Sequence, residues 1–264
     1  MQLSIIIVSY NNKNLLRESL KCIKKAGISL NYEIIVVDNA SHDGTTKMLR
    51  FEFPEVITIA SSKNLGFAAG NNLAVKYAKG EKLLFLNPDI LILHGSVEKL
   101  AAFLDANHDV GLVGPKLLNP DGALQYSAFR FPSFFTPLFR RTPLGLLPFG
   151  KKHLRKYLMM DWNHNEVKEV DWLLGSALMM RKSDYGRLAK FDERFFLYFD
   201  DCDLARQIWK SGKKVVYLPQ AQMIHFHRRE SAHFGFLKGV FYKPTREHIE
   251  SWIKYFWKWY FLAH

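Results

Sequence analysis

The chain has 264 residues, of which 48% are hydrophobic and 23% charged, a composition typical of a globular protein with a sizeable core. Its formal net charge of +12 favours a polyanionic partner, namely a nucleic acid, an anionic membrane surface or a phosphorylated substrate. Two cysteines outside any CxxC or zinc spacing argue against a disulfide framework. No signal peptide and no run of ~18 apolar residues is recognisable, so a cytoplasmic protein is expected.

Strands and helices alternate along the first half of the chain. Residues 3–8, 33–37, 56–60 and 82–86 are short, apolar and rich in β-branched side chains, which predicts buried strands. Helices are predicted over residues 15–25, from an N-cap at Ser41 to about Phe51, and over residues 67–78. This alternation predicts an α/β fold with a mostly parallel sheet flanked by helices.

Polar residues follow three of these strands. Since ligands of parallel sheets bind at the carboxyl ends of the strands, these residues favour a binding site over separate turns. The residues are Ser9, Tyr10 and Asn11 after the first strand, Asp38 after the second, and Asn87 and Asp89 after the fourth.

Residues 122–160 differ from the rest in composition. They contain no acidic residue, several prolines, many phenylalanines and basic pairs at Arg140-Arg141 and Lys151-Lys152. Such a segment is too apolar for a disordered linker. It predicts a loop-rich lid or a surface that meets lipid, and the alternative is an irregular insertion packed on the domain.

An aromatic run at residues 195–199 leads directly into Asp200, Asp201 and Asp203. Carboxylates beside buried rings are costly to desolvate and repel one another, which predicts a base, a metal site or both. The alternative is a helix start, where acids complement the helix dipole. Before these acids, residues 170–180 predict a strand pair or a strand–turn element.

Later in the chain, strands are predicted at residues 214–218 and 223–227. His225 and His227 share a face of the second strand and, with Arg228 and Arg229, favour phosphate or metal binding. Asp89, at the end of its strand, suits a hard divalent cation that bridges phosphates, although an Asx-turn is the alternative. No GxGxxG, GxxxxGK[ST] or GxSxG motif is present, which disfavours dinucleotide, Walker-type and α/β-hydrolase sites.

Six segments, taken in order, resemble the inverting family 2 glycosyltransferases with the GT-A fold, and most closely their bacterial rhamnosyltransferase-like branch. The segments are VSYN at 8–11, VDNASHDGT at 37–45, NLGFAAGNN at 64–72, LNPD at 86–89, WLLGS at 172–176, and residues 191–203. The resemblance implies a GT-A domain at 1–240. Its halves would bind the nucleotide sugar (1–115) and the acceptor (116–240), and the latter half carries the insert at 122–160.

The resemblance also implies roles for particular residues. Asp201 would be the catalytic base, with Trp172 and Asp200 on the acceptor side. Asp89 and His225 would hold a divalent cation, Mg²⁺ or Mn²⁺. Donor-binding roles fall to Ser9, Tyr10, Asn11, Asp38, Asn71, Asn87, Asp89 and Gly175. Asn87 stands where the family's DxD motif has its first acid, and Asp200 where glutamate is commoner.

The implied reaction is transfer of a sugar, with inversion, from a nucleoside diphosphate sugar to a saccharide or polyprenyl-diphosphate-linked acceptor. Bacterial cell-surface polysaccharide synthesis is the expected setting, and dTDP-rhamnose is one candidate donor. The alternatives are a basic nucleic-acid-binding protein and a nucleotidyltransferase of similar fold. No recognition motif supports the first and no Gly-rich phosphate loop supports the second, so no nucleic-acid partner is expected.

Residues 241–264 predict an amphipathic helix. Its apolar residues recur at helical spacing and form one stripe, made of Ile249, Trp252, Ile253, Phe256, Trp259 and Tyr260. Trp, Tyr and neighbouring lysines favour the surface of an anionic membrane, so a peripheral location at the inner face of the cell membrane is expected. The alternative is a terminal helix packed on the domain.

Overall fold

Four parallel strands form one side of the sheet, as the sequence predicts. They are β1 (Leu3–Ser9), β2 (Tyr32–Asp38), β3 (Ile57–Ala60) and β4 (Lys82–Leu86), in the spatial order β3, β2, β1, β4. The apolar strands β1, β2 and β4 are almost completely buried, which is typical of a sheet covered on both faces. The computed structural model describes residues 1–226 and 243–261, so His227, Arg228 and Arg229 lie outside the described residues.

The sheet continues beyond β4 in the order β11, β6, β12, β5. Strand β11 runs antiparallel to β4 and β6, whereas β12 runs parallel to β6 and antiparallel to β5. Strands β7 and β9 pair with β6 and β12, and β8 pairs with β10 in a separate sheet. The remaining strands are β5 (Ile90–Ile92), β6 (Val110–Leu118), β7 (Leu124–Gln125), β8 (Ala128–Phe129), β9 (Lys168–Glu169), β10 (Trp172–Leu173), β11 (Ala177–Arg181) and β12 (Lys214–His225).

Helices cover both faces of the sheet. Side chains of β1 alternate between two core clusters: Ile5 and Ile7 pack with α1, α2 and α4, and Ile6 packs with α3, α7 and the C-terminal helix. The helices are α1 (Lys13–Lys25), α2 (Thr45–Glu52), α3 (Gly66–Val75), α4 (Ser96–Ala106), α5 (Thr136–Arg141), α6 (Pro148–Tyr157), α7 (Asp200–Lys210) and the C-terminal helix (Lys243–Phe256), with a 3-10 turn at Pro143–Leu146 and a π-helical end at Trp257–Phe261. The predicted α/β fold with a mostly parallel central sheet is confirmed.

The predicted N-cap at Ser41 is wrong. Helix α2 begins at Thr45, after Gly44 in the left-handed region at φ +84°. Asp43 takes over the capping role, since its Oδ1 accepts from the Thr45 backbone N–H (3.1 Å) and hydroxyl (2.6 Å). The Ser41 hydroxyl accepts instead from the backbone N–H of Asn11 (2.8 Å), and this bond ties the loop after β2 to the loop after β1.

Two further predictions need correction. Of the two alternatives for residues 170–180, the strand pair is wrong, because β10 joins β8 in the small sheet and β11 inserts between β4 and β6. The strand–turn alternative holds, since a turn at 175–176 separates β10 from β11. The two strands predicted at 214–218 and 223–227 are one strand, β12, whose register shifts between Leu218 and Gln222. The irregularity at this shift explains the break in the apolar pattern.

The basic, Phe-rich insert contains two short helices, α5 and α6, joined by the 3-10 turn. Its inner side is anchored, because Phe129 and Tyr157 are buried in the core cluster with α7. Its outer side is apolar and exposed, with Phe135, Leu146 and Phe149 each more than half exposed (57%, 71% and 56%). Both interpretations of the insert therefore describe part of it: it packs on the domain and also presents an apolar surface.

The C-terminal helix packs beside α7. Tyr255 and Phe256 are buried, whereas Ile253 and Trp257 are each 57% exposed. The predicted apolar stripe is therefore divided between a buried side, which fits the packing alternative, and an exposed side. Within residues 1–226 and 243–261, no helix combines the length and the apolar character that crossing a bilayer requires.

Candidate active site

The predicted strand-end residues meet at one edge of the sheet. Ser9 and Asp38 are register partners at the ends of β1 and β2. The backbone N–H of Asn87, just after β4, donates to the carbonyl of Ser176 (2.8 Å), just before β11. Because β11 runs antiparallel to β4, its amino end lies beside the carboxyl ends of the parallel strands. The loops at these strand ends therefore form one continuous edge, which we call the rim.

The loops after β1 and β2 hold each other in place. Asn11, in the left-handed region at φ +53°, accepts from the His42 backbone N–H through its side chain (2.8 Å). The buried carboxylate of Asp38 accepts from the Ser41 backbone N–H (3.1 Å) and from the Thr46 hydroxyl. Tyr10 is 44% exposed between these loops, so its ring is available to a ligand at the rim.

Several polar atoms at this edge are buried and lack a hydrogen-bond partner in the described part of the chain. They are the hydroxyls of Ser9, Ser127 and Ser176 and the Oδ1 atom of Asp89. A buried polar atom without a partner costs about 1–3 kcal/mol, so a fold rarely retains several near one edge unless a ligand or water satisfies them. Only Ser9 and Asp89 were identified from the sequence.

Asp89 and His225 face each other across the rim. Asp89 immediately precedes β5, where Ile90 pairs with His225 of β12, and the Asp89 Oδ1 atom lies 3.4 Å from His225 Nε2. Gln125 Oε1 lies 2.6 Å from His225 Nδ1, a contact that fixes the ring orientation and leaves Nε2 facing the carboxylate. A carboxylate oxygen and an imidazole nitrogen placed this way can share a cation between them.

These two donors fit a divalent cation that takes its other ligands from a substrate. Mg²⁺ in particular is held in proteins by one or two side chains plus phosphate oxygens and water. Within residues 1–226 and 243–261, no group of three or more His, Cys, Asp or Glu side chains is arranged to hold a metal by itself. Gln125, which the sequence analysis missed, orients His225 from behind as metal-binding histidines are usually oriented.

Asp201 is held by two backbone N–H groups. Its Oδ2 accepts from Gly175 (2.8 Å) and its Oδ1 from Cys202 (2.8 Å). Burial raises the pKa of Asp201 to about 6, and the two N–H donors partly offset that rise. Gly175 permits this approach, since a Cβ there would lie 3.0 Å from the Asp201 Cβ.

Asp200 is the neighbouring carboxyl, only 5% exposed. Burial raises its pKa well above the ordinary value, and the negative charge of Asp201 raises it further. The two carboxyls therefore titrate as a pair, in which a charge on Asp201 disfavours a second charge on Asp200. Tyr198 and Phe199, which lead into the helix, both adopt positive φ (70° and 64°), an unfavourable conformation often found at functional sites.

Asp203 has a different environment from the other two acids. Fully buried, it forms an ion pair with Lys258 (2.7 Å) and accepts from the indole N–H of Trp259 (2.7 Å), both at the C-terminal end. Side chains two positions apart in a helix point to nearly opposite sides, which separates Asp203 from Asp201. The third acid of the cluster thus attaches the C-terminal segment to α7.

The two halves of the chain meet at Gly66. The backbone N–H of Phe67 donates to the carbonyl of Phe196 (2.9 Å), and a Cβ on Gly66 would lie 2.4 Å from the same oxygen. Buried Asn39 holds this turn through Asn64 (2.9 Å). Asn71 donates to the carbonyl of Phe67 in its own helix (2.9 Å), so its amide supports α3 at this junction.

Trp172 is buried in the same core cluster as Cys202 of α7. Its indole is 7% exposed, stacks on Phe129 with ring centroids 4.4 Å apart, and donates to the carbonyl of Arg130 (2.9 Å). It begins the segment that reaches Gly175 and hence Asp201. We expect replacement of Trp172 to affect the acceptor side indirectly, by disturbing the packing that positions Gly175 and Asp201.

Comparison with known proteins gives a consistent result. The family model described as Glycosyl transferase family 2 matches residues 4–159. The N-acetylglucosaminyl-diphospho-decaprenol L-rhamnosyltransferase of Mycobacterium tuberculosis is 30% identical over 212 residues, which cover 75% of this chain and 67% of that protein. Rhamnosyltransferase WbbL of Escherichia coli K12 is 26% identical over 261 residues, covering 95% of this chain and 91% of that protein.

Solved structures show a similar fold. The mannosyltransferase PcManGT from Pyrobaculum calidifontis, in complex with GDP-Man and Mn²⁺, matches with a TM-score of 0.61 at 20% identity. The match covers 88% of this chain and 59% of the mannosyltransferase, so the chain spans little more than half of that protein. At this identity the likeness bears on the fold alone.

Proposed function

The chain belongs to glycosyl transferase family 2, and we propose that it transfers a sugar from a nucleoside diphosphate sugar to a saccharide or lipid-linked acceptor with inversion. The family and the GT-A fold indicated by the sequence motifs are confirmed. Family membership does not favour the two alternatives, a nucleic-acid-binding protein and a nucleotidyltransferase. The observation that carries the proposal is the placement of Asp201 and the Asp89–His225 pair at one sheet edge.

Asp201 acts as the general base in this proposal. An inverting transfer is an in-line displacement at the anomeric carbon, which requires a base to accept the proton of the acceptor hydroxyl. Burial raises the pKa of Asp201 to about 6, which makes it a better proton acceptor than an ordinary aspartate. Burial and the charge of Asp201 both raise the pKa of the neighbouring Asp200, which disfavours a second negative charge beside the base.

The donor lies along the rim formed by the loops after β1, β2 and β4. Ser9, Tyr10, Asn11 and Asp38 would line the nucleoside pocket, with Asn71 and Asn87 supporting its walls. The buried Ser9 hydroxyl has no hydrogen-bond partner among the described residues, which supports this placement. The Asp38 carboxylate accepts from Ser41 and Thr46, and its remaining oxygen lone pairs would contact the nucleoside.

Asp89 and His225 would hold Mg²⁺ or Mn²⁺ together with the diphosphate of the donor. When bound, such a cation stabilises the negative charge of the departing nucleoside diphosphate. The Asp89 Oδ1 atom is buried, has no hydrogen-bond partner among the described residues and lies 3.4 Å from His225 Nε2, which supports the assignment. Gln125 keeps the imidazole ring in the required orientation.

The proposal extends to the identity of the substrates. Both curated relatives are named as rhamnosyltransferases, and the mycobacterial name gives a diphospho-decaprenol acceptor. We therefore favour a nucleotide-linked deoxyhexose such as dTDP-rhamnose as donor, a polyprenyl-diphosphate-linked saccharide as acceptor, and cell-surface polysaccharide synthesis as the setting. A screen of sugar nucleotides for slow donor hydrolysis tests this without an acceptor, and preference for a donor of another class would contradict the rhamnosyl assignment.

Asp89→Asn is expected to weaken nucleoside diphosphate binding in the presence of Mg²⁺ or Mn²⁺ by roughly 10- to 100-fold. Replacing a residue that only supports a metal ligand already lowers metal affinity by this much. Binding of the nucleoside without phosphates should hardly change. Isothermal titration calorimetry with and without the metal measures both. Asp109→Asn, an exposed acid just before the amino end of β6, is the control. Equal losses for nucleoside and diphosphate would remove Asp89 from the metal site.

We also propose that the exposed side of the C-terminal helix contacts an anionic membrane. Ile253, Trp257 and Phe261 are 57%, 57% and 67% exposed, and basic residues lie on the same segment. Replacing all three by serine should leave the fold intact and reduce sedimentation with anionic liposomes at low salt several-fold, because apolar contact and lysine attraction act together.

The matched control for the membrane experiment is Phe51→Ser with Tyr77→Ser, which removes exposed rings (72% and 52%) from α2 and from the loop after α3. Deleting the helix would be a poor test, because its buried residues belong to the core. If the triple variant sediments as well as the parent, the helix does not bind the membrane.

A further inference from the structure

Two adjacent arginines, Arg140 and Arg141, end α5. The guanidinium of Arg140 lies 5.7 Å from the ring centroid of Tyr157. Nη1 of Arg141 lies 3.5 Å from the hydroxyl of Thr245 in the C-terminal helix. Tyr157 is buried in the same cluster as Trp172, with ring centroids 6.4 Å apart, and Trp172 begins the segment that leads to Gly175, the residue that hydrogen-bonds Asp201.

The arginines also adjoin the loop that carries the acids. The ring of His248 lies 5.0 Å from Tyr198 and 5.3 Å from Phe199, the two residues before Asp200. Burial, followed by the charges of Arg141 and Arg140, lowers the pKa of His248 to about 3, so its imidazole is neutral. Its Nδ1 is buried and has no hydrogen-bond partner within the described ranges.

In the described part of the chain, no acidic side chain pairs with these two arginines. Within residues 1–226 and 243–261, neither Arg140 nor Arg141 has a carboxylate within ion-pair distance, whereas Arg17, Arg181 and Arg194 each have one. Burial lowers the pKa of Arg141, Tyr198 opposes this shift, and the charge of the neighbouring Arg140 adds to it. An anionic ligand would stabilise a half-buried guanidinium that has a second positive charge nearby.

We propose that Arg140 and Arg141 bind the diphosphate group of a lipid-linked acceptor. This inference rests on the proposed function and adds an acceptor subsite to it. A pair of guanidinium forks matches the oxygens of a diphosphate, which two ammonium groups would match less well.

A donor diphosphate is the other source of the same chemistry, and the surroundings favour the acceptor. The structure gives the arginines contacts to α6 and the C-terminal helix, whereas the donor's diphosphate is proposed to lie at Asp89. Beside them the insert presents exposed apolar side chains, namely Leu138, Leu144, Leu146, Leu147 and Phe149. A phosphate site next to an apolar surface suits a prenyl diphosphate, whose charged group is joined to a hydrocarbon chain.

The test uses binding of farnesyl diphosphate, a soluble prenyl diphosphate, measured by calorimetry. Arg140→Gln with Arg141→Gln should weaken its binding roughly 10- to 100-fold, since hydrogen bonds to charged groups are individually strong. Each single variant should show part of the loss, and Arg141→Lys less than Arg141→Gln. Lys151→Gln with Lys152→Gln removes the same charge from exposed positions of α6 and should leave binding within about two-fold of the parent.

Two results would overturn the inference. One is unchanged binding of farnesyl diphosphate by a folded double variant or by both single variants. The other is an equal loss for dTDP or UDP, which would assign the arginines to the donor. Donor hydrolysis without acceptor reports on the proposed function separately. A parent that binds farnesyl diphosphate through these arginines yet hydrolyses no sugar nucleotide would contradict the proposed reaction and leave the anion subsite intact.

Discussion

Asp201→Asn is expected to slow sugar transfer by roughly 10²–10⁴-fold, the usual contribution of a general base, while nucleoside diphosphate binding stays near that of the parent. The asparagine oxygen retains one of the two backbone hydrogen bonds from Gly175 and Cys202 but cannot accept a proton. Initial rates with saturating donor give the first quantity, and calorimetry gives the second.

Asp200→Asn is the informative comparison, since it alters the neighbouring carboxyl and leaves Asp201 in place. A smaller loss than in Asp201→Asn supports the assignment of Asp201 as base. If Asp201→Asn keeps near-normal turnover, or if Asp200→Asn is the more damaged variant, the roles within the pair are wrong. Asp161→Asn, an exposed acid in the same half of the chain, should behave as the parent.

The pH dependence has opposite signs for activity and stability. Transfer should rise with pH through about 6, where Asp201 loses its proton. Folding raises the pKa of Asp201 above its ordinary value of 3.8, so the folded chain binds more protons than the unfolded chain between these two values. The contribution of Asp201 to stability is therefore greatest in acid and falls as pH rises through this window. Asp201→Asn should lack that fall in thermal unfolding measured from pH 4 to 7.

The strand-end part of the site could be predicted from the sequence. Continuous apolar strands separated by helices lead to a parallel sheet, and in a parallel sheet Ser9, Asp38 and Asp89 must reach the same edge. The argument needs only the order of elements along the chain. The placement of Asp201 next to these residues was indicated by resemblance to the family and not by any local pattern.

The remainder depends on tertiary contacts that local patterns do not encode. Ser127 carries no motif, and Ser176, although it ends the WLLGS segment, approaches the edge because β11 inserts antiparallel between β4 and β6. Asp203 belongs to the acid cluster in sequence, but helix geometry turns it towards Lys258. In the sequence, Arg140 cannot be distinguished from an ordinary surface arginine. It lies near Tyr157 because α5 and α6 of the insert pack against each other.

Tyr255→Ala is expected to lower the free energy of unfolding by about 3–5 kcal/mol, as for other large aromatic side chains removed from a core. Tyr255 has no exposed surface, its ring centroid lies 5.2 Å from that of Phe199, and its hydroxyl accepts a hydrogen bond from the Cys202 thiol (3.3 Å). Urea denaturation followed by fluorescence and circular dichroism measures the change. Tyr255→Phe, which removes only the hydroxyl, should cost about 1 kcal/mol.

Trp257→Ala is the matched control from the same segment. Its ring is 57% exposed, so its removal should change stability by no more than about 0.5 kcal/mol. If Tyr255→Ala is no more destabilising than Trp257→Ala, the C-terminal helix is a separately attached element, as the division at residue 241 implies. A large loss in one cooperative transition would instead make the helix part of the catalytic domain. Its contacts with Phe199 and Cys202, which flank the two acids, would then link the exposed apolar surface directly to the base.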